Sequence, residues 1–330
     1  MRGRDYSGAL EVSSAVFAFA AEGNKVRNSS IARQLIDRTL TGTMALLLIF
    51  SLGAPSPGQD EDVIKVDTVL VTVNVSVTDT KNRHRPGLKP EDFLVTDEGK
   101  AVKSDFFDSD GPASIVFVID VSSSMQGSKW QNLKTGLKKF LSSGDKGNDY
   151  TLIAFNEQPR LVAASVNSRD LWKEFSRLRP FGETALYDAV LSGLSALERA
   201  SHRHRALVLF SDGDDNCSQA GLMLVQQEVF AHRATIYPVG ILLDERSSSY
   251  RTNGKTLLKE LAAATGGFAL FPTSDRLEEA LNMISADVSN QYSFSYYPPE
   301  KAPGWRNVRV RLLQDARRLN LRYQERYLIR

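Results

Sequence analysis

"VFVIDVSSSM", residues 116–125, joins two kinds of sequence that do not belong in one element. Val116, Phe117, Val118 and Ile119 form an unbroken β-branched and aromatic run, the composition of a central strand covered on both faces by helices. Asp120, Ser122 and Ser124 then set a carboxylate and two hydroxyls just beyond it. Open α/β sheets bind ligands in the crevice past their strand ends, so this oxygen cluster falls where such a fold keeps its site.

Working outward, strands are expected at 114–120, 150–155, 205–211, 234–240 and 267–271, with helical stretches between them. Trp130, Leu133, Leu137 and Phe140 recur at helical spacing, as do Leu186, Ala189, Val190, Gly193, Leu194 and Leu197. Further helices are expected at 218–231, 255–265 and 275–289. Alternation of this kind predicts an α/β fold with a doubly wound, mostly parallel sheet.

Both flanks read as β. In "VLVTVNVSV" (69–77) the valines Val69, Val71, Val73, Val75 and Val77 share one face, with Thr72, Asn74 and Ser76 on the other. Two short strands are expected around the "DEGK" turn at 97–100. After the last helix, Tyr292, Phe294 and Tyr296 alternate, then Val308, Val310 and Leu312, then Leu319, Leu321 and Tyr323. Neither flank has enough core of its own, so the two are expected to pair into one small β-sheet or sandwich domain with the α/β unit inserted between them. Arg309, Arg311 and Arg322 are expected to share an outward, solvated face.

The organisation that follows is 1–59 as an amino-terminal region, 60–110 as the first β segment, 112–290 as the α/β domain, and 291–330 as the second β segment. Within the first region, "TGTMALLLIFSLGA" (41–54) is uncharged and mostly apolar, preceded by Arg33 and Arg38 and followed by Asp60, Glu61 and Asp62. It resembles a secretory signal peptide, and at about 14 residues it is short for a spanning helix of about 20. The forty residues before it are long for a signal's charged region, so residues 1 to about 25 are expected to be untranslated or unstructured. The protein is therefore expected to be exported: periplasmic, secreted or on the cell surface, with retention by an uncleaved anchor as the alternative.

Composition narrows the function. With 41 basic and 39 acidic residues the net charge is +2, which offers no field for nucleic acid. The single cysteine, Cys217, excludes an intramolecular disulfide and a multi-cysteine zinc site. No Gly-x-Ser-x-Gly elbow or nucleotide-binding loop occurs, and no motif places a histidine as a base, so an enzyme is not expected. His202 and His204 read as surface residues, and Cys217 as a bystander thiol.

Two further polar signals fall in crevice loops. "RPFGETALYDA" puts Thr184 at a helix entrance, and "LVLFSDGDDN" puts Asp212 at the end of a strand. Asp120, Ser122, Ser124, Thr184 and Asp212 thus lie on three loops at one sheet edge, hard oxygen donors of the type that Mg²⁺, Mn²⁺ or Ca²⁺ accepts. Glu183, Asp214 and Asp215 stand beside them, either as an acidic rim or as turn and capping residues.

This pattern of Asp-x-Ser-x-Ser, a distant Thr and a distant Asp resembles the metal-ion-dependent adhesion site of von Willebrand factor A domains. Residues 60–330 as a whole resemble the bacterial exported proteins related to them. The resemblance implies a divalent cation, Mg²⁺ first, with Ser122 and Ser124 as direct ligands, Thr184 as a direct or water-mediated one, and Asp120 and Asp212 holding its waters. It implies a protein partner that presents an acidic side chain to the metal, with no small-molecule substrate. The threonine loop departs from the usual Gly-Gly-Thr, reading Gly182-Glu183-Thr184. An alternative is a structural envelope scaffold that binds through its β flanks and keeps an inert metal site.

Overall fold

The computed structural model describes residues 69–109, 111–143, 147–241, 249–314 and 318–330. The apolar run at 41–54 lies outside the described residues, and among those described no helix is long and apolar enough to cross a membrane. The first flank forms β1 (Val71–Asp79), β2 (Phe93–Asp97), β3 (Lys100–Val102) and β4 (Phe106–Ser109). The inserted unit runs β5 (Ala113–Asp120), α1 (Ser128–Ser142), β6 (Asp149–Phe155), β7 (Pro159–Val166), α2 (Ser168–Phe175), α3 (Leu186–Glu198) and β8 (His204–Ser211), and then α4 (Leu222–His232), β9 (Thr235–Gly240), α5 (Ser249–Ala264) and α6 (Leu277–Ser289). The second flank adds β10 (Tyr292–Tyr296), β11 (Gly304–Leu312), β12 (Leu319–Arg322) and β13 (Arg326–Ile329).

The central sheet has the order β7-β6-β5-β8-β9. β5 lies in its middle, parallel to β6 and β8, and all eight of its residues are buried, as its unbroken apolar run requires. Helices cover both faces: Phe117, Leu133, Leu137 and Leu281 belong to one core, and Val116, Val118, Ala189, Val190, Leu194 and Leu209 to the other. β7 is an antiparallel edge that sequence periodicity does not reveal, since its burial does not alternate and its pairing with β6 carries register shifts. The strand expected at 267–271 is not formed. That segment lies along β9 with two backbone bonds, Leu270 N to Pro238 O and Leu270 O from Gly240 N. Pro238 has no N–H to extend a ladder, which leaves β9 as the edge.

The flanks interleave. One sheet has the order β12-β1-β10-β4 and the other β13-β11-β2-β3, so each contains strands from both ends of the chain. Val71, Val73, Val75, Phe294 and Tyr296 of the first sheet pack against Phe93, Val95, Val308 and Val310 of the second, forming a sandwich core. β13 is an element that the alternation at 291–325 does not announce.

Arg322 corrects the expectation of a shared solvent face. β12 pairs with the carboxyl end of β1, which sets Arg322 opposite Ser76 at the joint with α6. There its Nη2 lies 2.6 Å from Asp287 Oδ1. The same oxygen accepts from Ser76 Oγ at 2.6 Å, and Asp287 Oδ2 accepts from Tyr237 Oη at 2.8 Å. This buried carboxylate therefore ties β1 and β12 of the sandwich to β9 and α6 of the α/β unit. Arg309 and Arg311 stay on the exposed face of β11. His204 is also corrected: as the first residue of β8 it is buried, whereas His202 is partly exposed and 3.7 Å from Asp149.

Candidate functional site: a hydroxyl and carboxylate centre at the sheet edge

β5 and β8 are parallel neighbours, so their carboxyl ends deliver Asp120 and the pair Ser211–Asp212 to the same place. After Asp120 the chain turns through a short 3-10 segment, Ser123–Met125, and Met125 is fully buried as its anchor. Ser122 Oγ and Ser124 Oγ are 3.1 Å apart, with Ser122 buried and Ser124 exposed. Asp120 Oδ1 accepts from Ser122 N at 2.8 Å and Oδ2 from Ser211 Oγ at 3.3 Å.

Backbone bonds stitch the three loops together. Ser123 N donates to Gly182 O at 2.9 Å, and Phe181 N to Val121 O at 2.8 Å, fastening the threonine loop to the serine loop. Thr184 N donates to Asn216 Oδ1 at 2.8 Å while Thr184 O accepts from Asn216 N at 3.0 Å, fastening it to the aspartate loop. Asp120, Ser122, Ser124, Thr184 and Asp212 thus lie on three interlocked loops, and all but Ser124 are buried. Two glycines permit the close approach. A side chain at Gly213 (φ +89°) would collide with the Gly254 carbonyl, and one at Gly182 (φ +80°) with the Glu157 carboxylate. The left-handed conformation sits at Gly182 rather than at residue 183, so Glu183 is accommodated without strain.

The centre holds a cation that the sequence pattern did not flag. Lys129, in the first turn of α1, is 6% exposed, and its Nζ lies 3.0 Å from Asp212 Oδ2. An ammonium at a helix amino terminus opposes the helix dipole, and the buried carboxylate offsets that. Its signal was present in "MQGSK", a lysine just inside a helix start, yet spacing alone does not reveal its carboxylate partner. Ser211 and Asn216 were likewise missed, since their roles depend on loop contacts.

Burial pushes the Asp120 carboxyl up to about 6; the nearby Asp212 adds to this, while hydrogen bonds from Ser122 and Ser211 oppose it. Asp212 Oδ1 is buried and has no hydrogen-bond partner among the described residues. An orphan oxygen alone is not a metal signal: Asp97 Oδ1, inside the sandwich, shares that condition, while Tyr296 and Tyr327 both donate to its Oδ2. At the sheet edge the orphan oxygen coincides with a second buried carboxylate and a hydroxyl pair. That donor set fits a hard divalent cation, which would engage Asp212 Oδ1 and favour ionised Asp120. Among the described residues no group of three or more His, Cys, Asp or Glu side chains is placed to hold a metal ion.

The rim residues separate. Asp215 Oδ1 accepts from Ser218 Oγ and, at 3.3 Å, from Tyr187 N, so it caps α3 rather than the helix that follows it. Asp214 and Glu183 are exposed. Burial pushes the Cys217 thiol up, and Glu183 and Asp215 reinforce the shift, which makes it a poor nucleophile.

Residues 115–214 match the family model described as von Willebrand factor type A domain. The chain is 28% identical over 174 residues to human inter-alpha-trypsin inhibitor heavy chain H4, covering 48% of this chain and 18% of the relative. It is 30% identical over 204 residues to the pig H4 chain, covering 56% and 21%. The chain therefore spans about a fifth of the length of these curated relatives. A solved von Willebrand factor type A protein from Catenulispora acidiphila aligns with a TM-score of 0.47 at 13% identity, over 80% of this chain and 74% of that one.

Proposed function

We propose that the protein is an exported, non-catalytic binding module that captures an acidic side chain of a protein partner through a divalent cation, Mg²⁺ first, at the Asp120 centre. The observation that carries this reading is the convergence of Ser122, Ser124 and two buried carboxylates, one with an unengaged oxygen, on a von Willebrand factor type A domain. Ser122 and Ser124 are the direct protein ligands, Thr184 a direct or water-mediated one, and Asp120 and Asp212 hold the surrounding waters. A divalent cation bound there supplies a Lewis-acidic position open to a carboxylate.

The charge balance supports an anionic partner group. Two carboxylates less one ammonium, that of Lys129, leave a single negative charge, which a divalent ion converts to a single positive one. Neutral hydroxyl donors do nothing to quench it. The apolar run at 41–54, with basic residues before it and acidic ones after, supports export.

The test is partner capture from an envelope extract, followed by affinity measurement in Mg²⁺ and in chelator. Asp120→Ala should abolish capture, Thr184→Ala weaken it, and Arg309→Ala, on the outer face of the sandwich, leave it unchanged. A partner bound equally well by Asp120→Ala, with or without metal, eliminates the metal bridge. Loss of capture in Arg309→Ala alone would favour binding through the β flanks.

A further inference from the structure

At the opposite end of the central sheet from the Asp120 centre, a cavity of about 490 Å³ separates the α/β unit from the sandwich. This is within the range of small-molecule sites, and its two walls differ in chemistry. The sandwich wall is the outward face of β1 and β10, where alternation leaves Thr72, Asn74, Ser293 and Ser295. These side chains are already organised: Thr72 Oγ1 and Ser295 Oγ are 2.9 Å apart, and Ser293 Oγ donates to Asn74 Oδ1 at 2.7 Å. The facing wall brings three guanidinium groups, Arg203 and Arg205 from the entry into β8 and Arg233 from the turn before β9.

Each guanidinium is positioned, and their counter-charge is incomplete. Arg205 donates to the carbonyls of His202 and Leu197, and Arg203 lies over the Phe106 ring, 5.6 Å from its centre. Arg233 lies 5.8 Å over the Tyr327 ring, and its Nη1 is buried with no hydrogen-bond partner among the described residues. The wall carries two carboxylates, Asp108 and Glu198, the latter 3.1 Å from His232 Nε2, against the three guanidinium groups. Glu228, close by, is engaged by Arg330 and His232.

Arg233 also stands where local chemistry would choose another residue. It caps α4 in the left-handed conformation, φ +51° and ψ +37°, a position that favours Gly or Asn. Burial lowers its guanidinium pKa, a sign that the charge is held at a cost. Arg233 and His232 line both this cavity and a smaller one of about 220 Å³ beside it.

We propose that this interdomain cavity is a binding site for a small hydroxylated oxyanion, whose carboxylate or phosphate group is held by Arg233 with Arg203 and Arg205, and whose hydroxyls face the Thr72–Ser295 wall. A planar guanidinium with free donors matches either group in two-point contact. The ligand is bound, not transformed, and the site is independent of the metal centre.

Isothermal titration at constant ionic strength with inorganic phosphate, citrate and glucose 6-phosphate, and glucose as the neutral control, tests this on the full chain. At least one anion should saturate a single site, equally in Mg²⁺, in chelator and in Asp120→Ala, while glucose gives no binding. The phosphate and citrate arms tell the two anion classes apart. Arg233→Gly suits the left-handed position, so it should keep the melting temperature at or above that of the parent while weakening binding at least about tenfold. Arg233→Lys, which keeps the charge but loses the fork, should fall between. Absence of saturable binding by all three anions up to about 10 mM, far above the usual range for specific sites, would overturn the assignment. So would undiminished binding by Arg233→Gly, or equal binding of glucose.

Discussion

Among the buried carboxylate centres of the described residues, those at Asp287 and at the sheet edge are satisfied in opposite ways. Asp287 receives Ser76 and Arg322 on one oxygen and Tyr237 on the other, with His84 Nε2 3.7 Å away. Nothing is left for a ligand, and the groups come from both the sandwich and the α/β unit. At the sheet edge, Asp212 spends one oxygen on Lys129 and leaves the other buried and unengaged, beside Asp120, which is itself pushed toward its neutral form. The first arrangement joins two parts of the fold. The second keeps one buried carboxylate oxygen unengaged beside a hydroxyl pair, the donor set on which the proposed cation site rests. Burial alone therefore does not mark a functional acid; the donors around it do.

The largest expected effect falls on the joint. Asp287→Ala strands the Arg322 guanidinium and the Tyr237 hydroxyl, and removal of one partner from a buried, charged network costs about 3–5 kcal/mol. Urea melts should show that loss undiminished by added Mg²⁺, while the increment that Mg²⁺ itself contributes survives. If Mg²⁺ rescues Asp287→Ala, the two centres are coupled and the contrast between them fails.

A smaller, opposite response is expected at the sheet edge. At about 100 times its dissociation constant, Mg²⁺ should stabilise the parent protein by about 2.7 kcal/mol. For a domain the size of the α/β unit that corresponds to roughly 5–10 °C in melting temperature. Asp120→Ala should lose the increment without losing stability in chelator, because it removes a desolvated carboxyl that burial disfavours when ionised. A melting curve unchanged across millimolar Mg²⁺, Mn²⁺ and Ca²⁺ would place the Asp120 centre with Asp287, as structure only.

The pH dependence refines the same contrast. Asp120 has a folded pKa of about 6 against an ordinary value of 3.8, so in metal-free protein its contribution is fully present below about pH 4 and is lost as pH rises through 6. Bound cation offsets that loss at neutral pH but must displace a proton at pH 5. The gap between melting temperatures in Mg²⁺ and in chelator should therefore be wider at pH 7.5 than at pH 5. A gap that is equal at the two values would mean that Asp120 does not face the ion.

Much of this was legible in the sequence because strand and helix periodicity report which face is buried. The run at 116–119 identified the central strand, the valines of 71–77 a sandwich face, and three polar signals the loops that interlock at the sheet edge. What stayed hidden depends on contacts between distant segments. β7 buries its residues irregularly, so no period marks it. Arg322 has the alternation of a solvent-facing residue and is turned inward by the register of β12 on β1. The strand expected at 267–271 fails because its neighbour carries Pro238. Lys129 belongs to a helix by spacing and to the site only by folding.

The most direct test of the central claim is calorimetric titration of the intact protein with Mg²⁺ at pH 7.5, alongside Asp120→Ala. The account predicts one ion bound per chain by the parent and none by the variant, with identical circular dichroism. An Asp120→Ala protein that binds Mg²⁺ with the parent's affinity, or a parent that binds none, would contradict it.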